Sequence, residues 1–516
     1  MYARQHALEH PGQPAIIMGT SGESVTFAEY EARCNQIAHL LRSAGLQRGD
    51  HIAVFMENSI PMLEIEGAAE RTGLYYTLIN SYLAPDEVAY IITNSSSRLL
   101  FSSAAKREVA EQAAAKCPQL ERMLMTGPDV PPDGWESFDD AVAGFPGDPV
   151  PDESLGAAML YSSGTTGQPK GVLRNLPDAE PGEPLPVMLF VRAMFGFRDG
   201  MTYLNPAPLY HSAPQASVSA SLRMGCTTVV MEHFEPEQWL ALVERYQVTN
   251  CQMVPVMFSR LLRLNEDTRA RHDTSSLECI VHAAAPCPVH VKKAMIDWLG
   301  PIVHEYYSAT EGLGLAMCDS EQWLKHKGTV GKAVYGEVHV LDEEMREAPP
   351  RTVGKLWFKT AHPFEYFNDP KKTAAANSAD RAMSTVGDIG YVDEEGFIYL
   401  TDRESFMIIS GGVNIYPQEC EILLVTHPKV RDAAVFGAPN EEMGEEVKAV
   451  VQLMPGLEPG PETEAELIAF CRKHLAHVKC PRSIDFEDDF PRLPTGKLYK
   501  TALRDRYWKG HKSRIL

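Results

Sequence analysis

Residues 161–172 read Tyr-Ser-Ser-Gly-Thr-Thr-Gly-Gln-Pro-Lys-Gly-Val and follow the apolar stretch Ala157–Tyr161. Glycines let backbone N–H groups approach an anion closely, hydroxyls add donors, and Lys170 adds charge. That combination suits a triphosphate. A Walker A loop is excluded, because its spacing wants glycine where Pro169 stands. The plainer reading, a polar turn between strands, fits any loop rich in Ser, Thr and Gly but not this order of residues. Three other residue types could do chemistry alone: Asp388 within Val386–Gly390, Lys497 after Thr495-Gly496, and His211 within Pro208–Pro214. Singly, each has an ordinary reading as a turn former, a solvated cation and a structural histidine.

These residues need a scaffold. Thr26 with Glu29 predicts a capping box opening a helix through Cys34, Ile37, Ala38 and Leu41, stopped by Gly45. His51–Met56 reads as a buried strand. Further strands are expected at Ser97–Ser102, Ala157–Tyr161, Thr227–Met231 and Glu278–His282, alternating with helical stretches. Such alternation predicts an α/β architecture with largely parallel sheets. Gly127–Ser154 and Asn175–Pro186, rich in Pro, Gly and acids, read as surface loops. A second unit begins near Asp402-Arg403, with a helix over Gln418–His427 and strands over Asp432–Phe436 and Glu446–Leu453. Thr463 with Glu466 predicts another capping box and a helix towards His474. The expected division is 1–402 and 403–516.

At 516 residues the chain exceeds one compact core. Its 48 Lys and Arg against 69 Asp and Glu leave a formal charge of −21, which argues against nucleic acid as a partner. Ten scattered cysteines without a C-x-x-C pair read as reduced thiols. No apolar run is long enough to span a bilayer, and the first residues lack a signal-peptide core. The expectation is a cytoplasmic protein without integral membrane association; homodimerisation is left open.

In sequence order, the phosphate-type loop is followed by Tyr306-Tyr-Ser-Ala-Thr310-Glu311-Gly312, Val386-Gly-Asp388-Ile-Gly, Asp402-Arg403 with Ile409–Pro417, and Pro494-Thr-Gly496-Lys497. Together these resemble the signature segments of the adenylate-forming superfamily, which contains acyl-CoA synthetases, peptide-synthetase adenylation domains and luciferases. The resemblance spans residue 26 to the C-terminus. It implies an α/β fold with a large N-terminal domain of stacked α/β subdomains and a small mobile α+β C-terminal domain. It also implies ATP, Mg²⁺ and CoA as co-substrates and cofactor. A carboxylate attacks the α-phosphorus of ATP, and a thiol then displaces AMP.

Site residues follow from the same resemblance. Ser162, Ser163, Gly164, Thr165, Thr166, Gly167 and Lys170 would hold the departing phosphates. Ala284, Ala285, Pro286, Tyr306, Tyr307 and Ser308 would flank the adenine, and Asp388 and Arg403 the ribose and phosphate. Thr310, Glu311, Arg403 and Lys497 are the expected catalytic set, with Glu311 on magnesium. His211, Ser212, Ala309 and Gly312 would border the acyl pocket, and Ser410, Gly411, Gly412 and Lys479 the CoA thiol. Ser405 would be the hinge. Phe190, Met194, Phe195, Ala213, Leu313 and Gly314 read either as an apolar acyl pocket or as ordinary core.

Several positions depart from the family pattern. Three alanines replace a glycine-rich adenine segment, Ser405 stands where Asp or Lys is usual, and Phe406 replaces a common acidic residue. The tract after Val172 lacks the usual polar ending. The basic end from Lys497 reads as a solvated helix end, the sharper alternative being that Lys500 aids phosphate binding. The expected activity is an ATP-dependent acyl-CoA synthetase acting on medium- or long-chain fatty acids. Aryl- or steroid-side-chain acids, a carrier-protein-loading acyl-AMP ligase, and a silent nucleotide-binding regulator are the alternatives.

Overall fold

The computed structural model describes residues 2–127, 130–162, 169–361, 364–403, 406–410, 413–440, 443–492 and 498–509, leaving aside the side chains of Ser162, Val187, Asp402, Arg403 and Asn414. The chain divides into two compact units. One comprises Met1–Ala284, Val291–Gly312 and Phe364–Ala375; the other comprises Ala285–His290, Leu313–Pro363 and Ala376–Leu516.

The first unit is built on parallel sheets. One has the strand order Glu136–Ser137, Arg122–Thr126, Leu99–Ser103, His51–Phe55, Tyr75–Leu78, Ala157–Ala158. Every neighbouring pair in it is parallel. The other runs Pro14–Met18, Thr227–Val230, Thr202–Asn205, Asn250–Met253, Cys279–His282, Val303–Ser308, again parallel, with Ser24–Thr26 antiparallel at its edge. Strands buried on both faces explain the unbroken apolar runs of Ile52–Phe55 and Leu99–Phe101, none of them exposed. The helix Phe27–Ser43 carries the predicted box: Thr26 accepts from the Glu29 N–H, while the Glu29 carboxylate accepts from the Thr26 N–H at 2.8 Å.

The second unit contains an antiparallel sheet ordered Glu337–Leu341, Gly354–Lys359, Asp388–Val392, Phe397–Arg403, Gly331–Tyr335, Leu315–Cys318. A separate sheet orders Val413–Ile415, Ile408–Ser410, Gly444–Leu453 and Val430–Asn440, with Ser483–Phe486 parallel to Gly444–Leu453. Helices Pro417–Val425 and Pro461–His474 bury Leu424, Leu467 and Cys471 on it, and Lys500–Tyr507 buries Leu503 against Phe436 and Val450.

Three expectations need correction. Gly127–Ser154 is not all loop: Glu136–Ser137 adds a strand, and Ser137 caps a helix, Phe138–Ala143, that buries Phe138 and Val142. The helix ending at His474 starts at Pro461, so Thr463 lies inside it and caps nothing. Proline at a first helical position loses no hydrogen bond and has its φ already set, which favours the earlier start. Lys500 is not solvated: its ammonium lies 2.7 Å from Glu421 with 11% of the side chain exposed. All ten cysteines are free thiols, as their spacing suggested. Among the described residues, no helix is long and apolar enough to cross a membrane.

Candidate active site

In the first unit, Tyr161–Ser162 and Lys170–Leu173 form an antiparallel pair, Lys170 opposite Ser162 and Gly171 opposite Tyr161. They bracket the Ser/Thr/Gly run, of which Ser163, Gly164, Thr165, Thr166 and Gly167 lie outside the described residues. A Cβ at Gly171 would meet the Tyr161 ring at 2.9 Å, so only glycine lets the two strands close here. Glu365–Tyr366 adds a third strand beside Lys170–Leu173, with Tyr366 opposite Val172. This brings the Tyr366 ring to 4.8 Å from the Lys170 ammonium. The Tyr366 hydroxyl donates to Glu311 Oε1 at 2.8 Å. Burial, reinforced by the Lys372 ammonium, holds the Lys170 pKa below the ordinary lysine value, against the pull of Glu311 and Asp369.

Glu311 sits in a turn. The Gly312 N–H donates to the Ala309 carbonyl at 2.9 Å, which puts Thr310 and Glu311 at the two corners. Gly312 closes the turn at φ +70°, a conformation costly for other residues. Arg174 donates from Nη2 to the Thr310 carbonyl at 2.8 Å and clamps the turn from outside. The Thr310 hydroxyl meets Ser212 Oγ at 3.3 Å. Ser212 opens the helix Ser212–Arg223, with His211 as its N-cap residue and the His211 ring 4.5 Å from that of Tyr210. Lys170, Thr310, Glu311 and Ser212 thus share one neighbourhood.

Tyr306, Tyr307 and Ser308 end the strand Val303–Ser308. Beneath them Glu305 accepts from buried Lys292 at 2.6 Å and faces His282 Nε2 at 3.4 Å. Burial, with Lys292 alongside, pushes His282 well below the usual histidine range; burial raises the Glu305 pKa. Just past this cluster, Ala284 is exposed and adopts φ +72°. The left-handed region costs an L-residue about 1–2 kcal/mol, and glycine in its place forgoes part of that gain through unfolded-state entropy. We therefore expect Ala284→Gly to stabilise the protein by up to about 1 kcal/mol, read as a small rise in thermal midpoint. A fall in the midpoint would show that the methyl packs usefully.

Ala285 and Pro286 belong to the second unit, as do Leu313 and Gly314. Leu313 is buried, and a Cβ on Gly314 would collide with the Phe358 ring, so both serve the core there. Asp388 is buried, and its strand pairs it directly with Arg403. Ser410 pairs with Val413 across Gly411 and Gly412, which lie outside the described residues, as does Ser405. Lys479 is engaged by Glu419 at 2.6 Å. Lys497 is also outside the described residues; on either side of its motif Arg492 and Leu498 form an antiparallel bridge.

Sequence reasoning missed Arg174 and Tyr366. Arg174 sits in a tract that was read as departing from pattern, yet an arginine two residues past Val172 was visible. Tyr366 gave no local signal, being 55 residues from Glu311 and brought there only by strand pairing.

Comparison with known proteins supplies the lineage. The profile of the AMP-binding enzyme family matches residues 3–366, and that of the AMP-binding enzyme C-terminal domain matches residues 419–497. A fatty acid–[acyl-carrier-protein] ligase of Streptomyces coeruleorubidus is 32% identical over 98% of this chain and 95% of its own. A long-chain-fatty-acid–CoA ligase of Mycobacterium tuberculosis is 29% identical over 98% of this chain and 97% of its own. The o-succinylbenzoate–CoA synthetase of Bacillus subtilis, solved with its acyl-adenylate intermediate, superposes with a TM-score of 0.79 at 26% identity, covering 98% of this chain and 97% of that one. With both family profiles in order along a mixed α/β fold, the chain belongs to the AMP-binding enzymes, the adenylate-forming superfamily, and is an AMP-forming ligase.

Proposed function

We propose that the protein is an ATP-dependent acyl-CoA synthetase: a carboxylic acid and ATP give acyl-AMP and pyrophosphate, and CoA then gives acyl-CoA and AMP. The observation that carries this reading is the meeting of Lys170, Tyr366 and Glu311 beside the strand pair that brackets the Ser/Thr/Gly loop. Lys170 and the loop hydroxyls hold the β- and γ-phosphates, stabilising the charge that gathers on departing pyrophosphate. Thr310 donates to the α-phosphate. Glu311 keeps one carboxylate oxygen for a magnesium ion, which takes few protein ligands and several phosphate oxygens. That single carboxylate, oriented by Tyr366, fits such an ion; the ion would neutralise phosphate charge.

Tyr307 supplies an aromatic face for adenine, Ala284, Ala285 and Pro286 are its small-residue segment, and Asp388 accepts from the ribose hydroxyls with Arg403 alongside. Losing a charged hydrogen-bond acceptor costs about 1.5–3 kcal/mol. Asp388→Asn should therefore raise the KM for ATP about 10- to 100-fold while the KM for acid moves little. An unchanged ATP KM would remove Asp388 from the ribose.

A mobile C-terminal domain over 403–516, hinged at Ser405, would bring Lys497 to the adenylation step and Gly411, Gly412 and Lys479 to the CoA step. Free CoA is the favoured acceptor; the kinship with a carrier-protein ligase keeps a carrier thiol as the second reading. Fatty-acid ligases among the relatives, and the apolar Phe190, Met194 and Phe195, support an acid with a largely apolar tail. The deciding measurement is acid-dependent pyrophosphate release from ATP and Mg²⁺, with and without CoA, across fatty, aryl and steroid acids. AMP with acyl-CoA is the expected product. Acyl-adenylate that CoA leaves untouched would overturn CoA in favour of a carrier. No turnover with any acid would overturn the synthetase.

A further inference from the structure

The strand Val303–Ser308 presents Tyr306 and Tyr307 to opposite faces, since side chains alternate along a strand. If Tyr307 serves the nucleotide, Tyr306 faces away from it, towards the helix Ser212–Arg223. There its hydroxyl accepts from Gln252 Nε2 at 2.7 Å, and Gln252 Oε1 accepts from Ser217 Oγ at 2.5 Å. The chain of donors runs from serine through glutamine to tyrosine. Because Gln252 donates to it, the Tyr306 hydroxyl must aim its own hydrogen elsewhere. Among the described residues none accepts it.

The surroundings make that unspent donor costly. Phe195 packs with its ring 6.2 Å from that of Tyr306 and is itself met edge-on by Phe190. Tyr203, 1% exposed, closes the cluster from below, with Ser217, the Gln252 backbone and Tyr306 all near its hydroxyl. A polar cluster set in an aromatic wall, with the Tyr306 hydroxyl hydrogen unused, wants an acceptor from outside the chain.

We propose that Tyr306 is a specificity-determining residue, oriented by Gln252 and Ser217, whose O–H donates to an acceptor oxygen in the tail of the acid. This rests on the ligase reading above and names its substrate class: acids with an apolar tail interrupted by a carbonyl or ether oxygen, rather than plain alkanoic acids. The helix Ser212–Arg223 sets the scale. Its first residue touches Thr310 in the turn that carries Glu311, and Ser217 lies five residues further on. At 1.5 Å per residue, that puts the polar cluster about 7.5 Å beyond the reacting turn. The oxygen then belongs some four to six bonds from the carboxylate.

The test compares isosteric pairs: heptanoate against its 4-, 5- and 6-oxo derivatives, and 4-phenylbutanoate against 4-oxo-4-phenylbutanoate. Each is scored by kcat/KM for AMP formation. The expected result is that at least one oxo acid is preferred by about tenfold or more, because the hydrocarbon covers the part-buried Tyr306 donor and leaves it unpaired. Tyr306→Phe keeps the ring and removes the donor, so that preference falls to about twofold or less, through KM more than kcat. Gln252→Leu, which frees the hydroxyl to turn, lowers it too. AMP formation with every acid but no oxygen preference, or a preference that Tyr306→Phe leaves intact, overturns the assignment and leaves the ligase standing. Silence with all acids overturns both.

Discussion

Lys497→Ala lowers acid-dependent pyrophosphate release by at least about a hundredfold, while thioester formation from supplied acyl-adenylate keeps most of its rate. The argument is electrostatic. Adenylation brings a carboxylate against the α-phosphate, two anions whose repulsion at 4 Å is about 4 kcal/mol in a partly shielded site. A lysine bridging both cancels that term when it matters most, in the transition state. Removing one such preorganised donor typically costs about a hundred- to a thousandfold in rate. The thioester step has no such pair: the acid is already joined to AMP as a mixed anhydride, and the incoming thiol displaces AMP at the acyl carbon. The flanks of the motif are firmly held. Arg492 bridges to Leu498 and ion-pairs with Asp432, and Lys500 is bound to Glu421 while its ammonium lies 4.8 Å from the Phe406 ring. Truncating Lys497 should leave that anchoring intact, so the loss reports chemistry and not unfolding. Equal loss in both half-reactions would refute the division of labour.

Local chemistry was legible in the sequence wherever one segment sufficed to state it. Thr26 with Glu29 announced a cap and formed one, because nothing upstream offered a better start. Thr463 with Glu466 has the same signature and failed, because Pro461 begins the helix two residues earlier and Glu466 turns instead to Lys429 at 2.6 Å. The acid- and proline-rich tract after Gly127 hid a short helix whose burial of Phe138 and Val142 outweighs its composition. The motif residues were readable as types in order. Their registers were not. That Asp388 lies opposite Arg403, or that Tyr366 reaches Glu311, depends on pairings between distant segments that no local spacing encodes. Lys500 was misread because exposure is the default for a lysine near a chain end, and only tertiary packing supplied Glu421.

Lys292→Met destabilises the protein by about 3–5 kcal/mol near pH 8, the usual cost of removing one partner from a buried ion pair. Lys292 is fully buried and donates to Glu305, itself 5% exposed, with His282 unexposed on the other side of the carboxylate. Methionine fills the stem but leaves Glu305 to ionise without a counter-charge or to take up a proton. The sign of the pH dependence follows. Burial already raises Glu305, and without Lys292 it rises further, so the variant suffers most where the unfolded carboxyl is ionised and recovers as pH falls. His282 acts in the same direction. Its depressed pKa costs the wild type stability below about pH 6.5, where the unfolded imidazole binds a proton that the folded one refuses. Burial, the larger cause of that depression, remains in the variant, but removing Lys292 lifts its added repulsion and so favours a proton on His282 beside Glu305. The gap between variant and wild type, measured by urea denaturation, should therefore narrow by about 1 kcal/mol or more between pH 8 and pH 5.5. Lys292→Met combined with Glu305→Leu should recover most of the loss, since two apolar residues leave no buried charge behind. A gap that stays constant with pH, or a double variant no better than the single one, would show that Lys292 acts through packing and not through its charge.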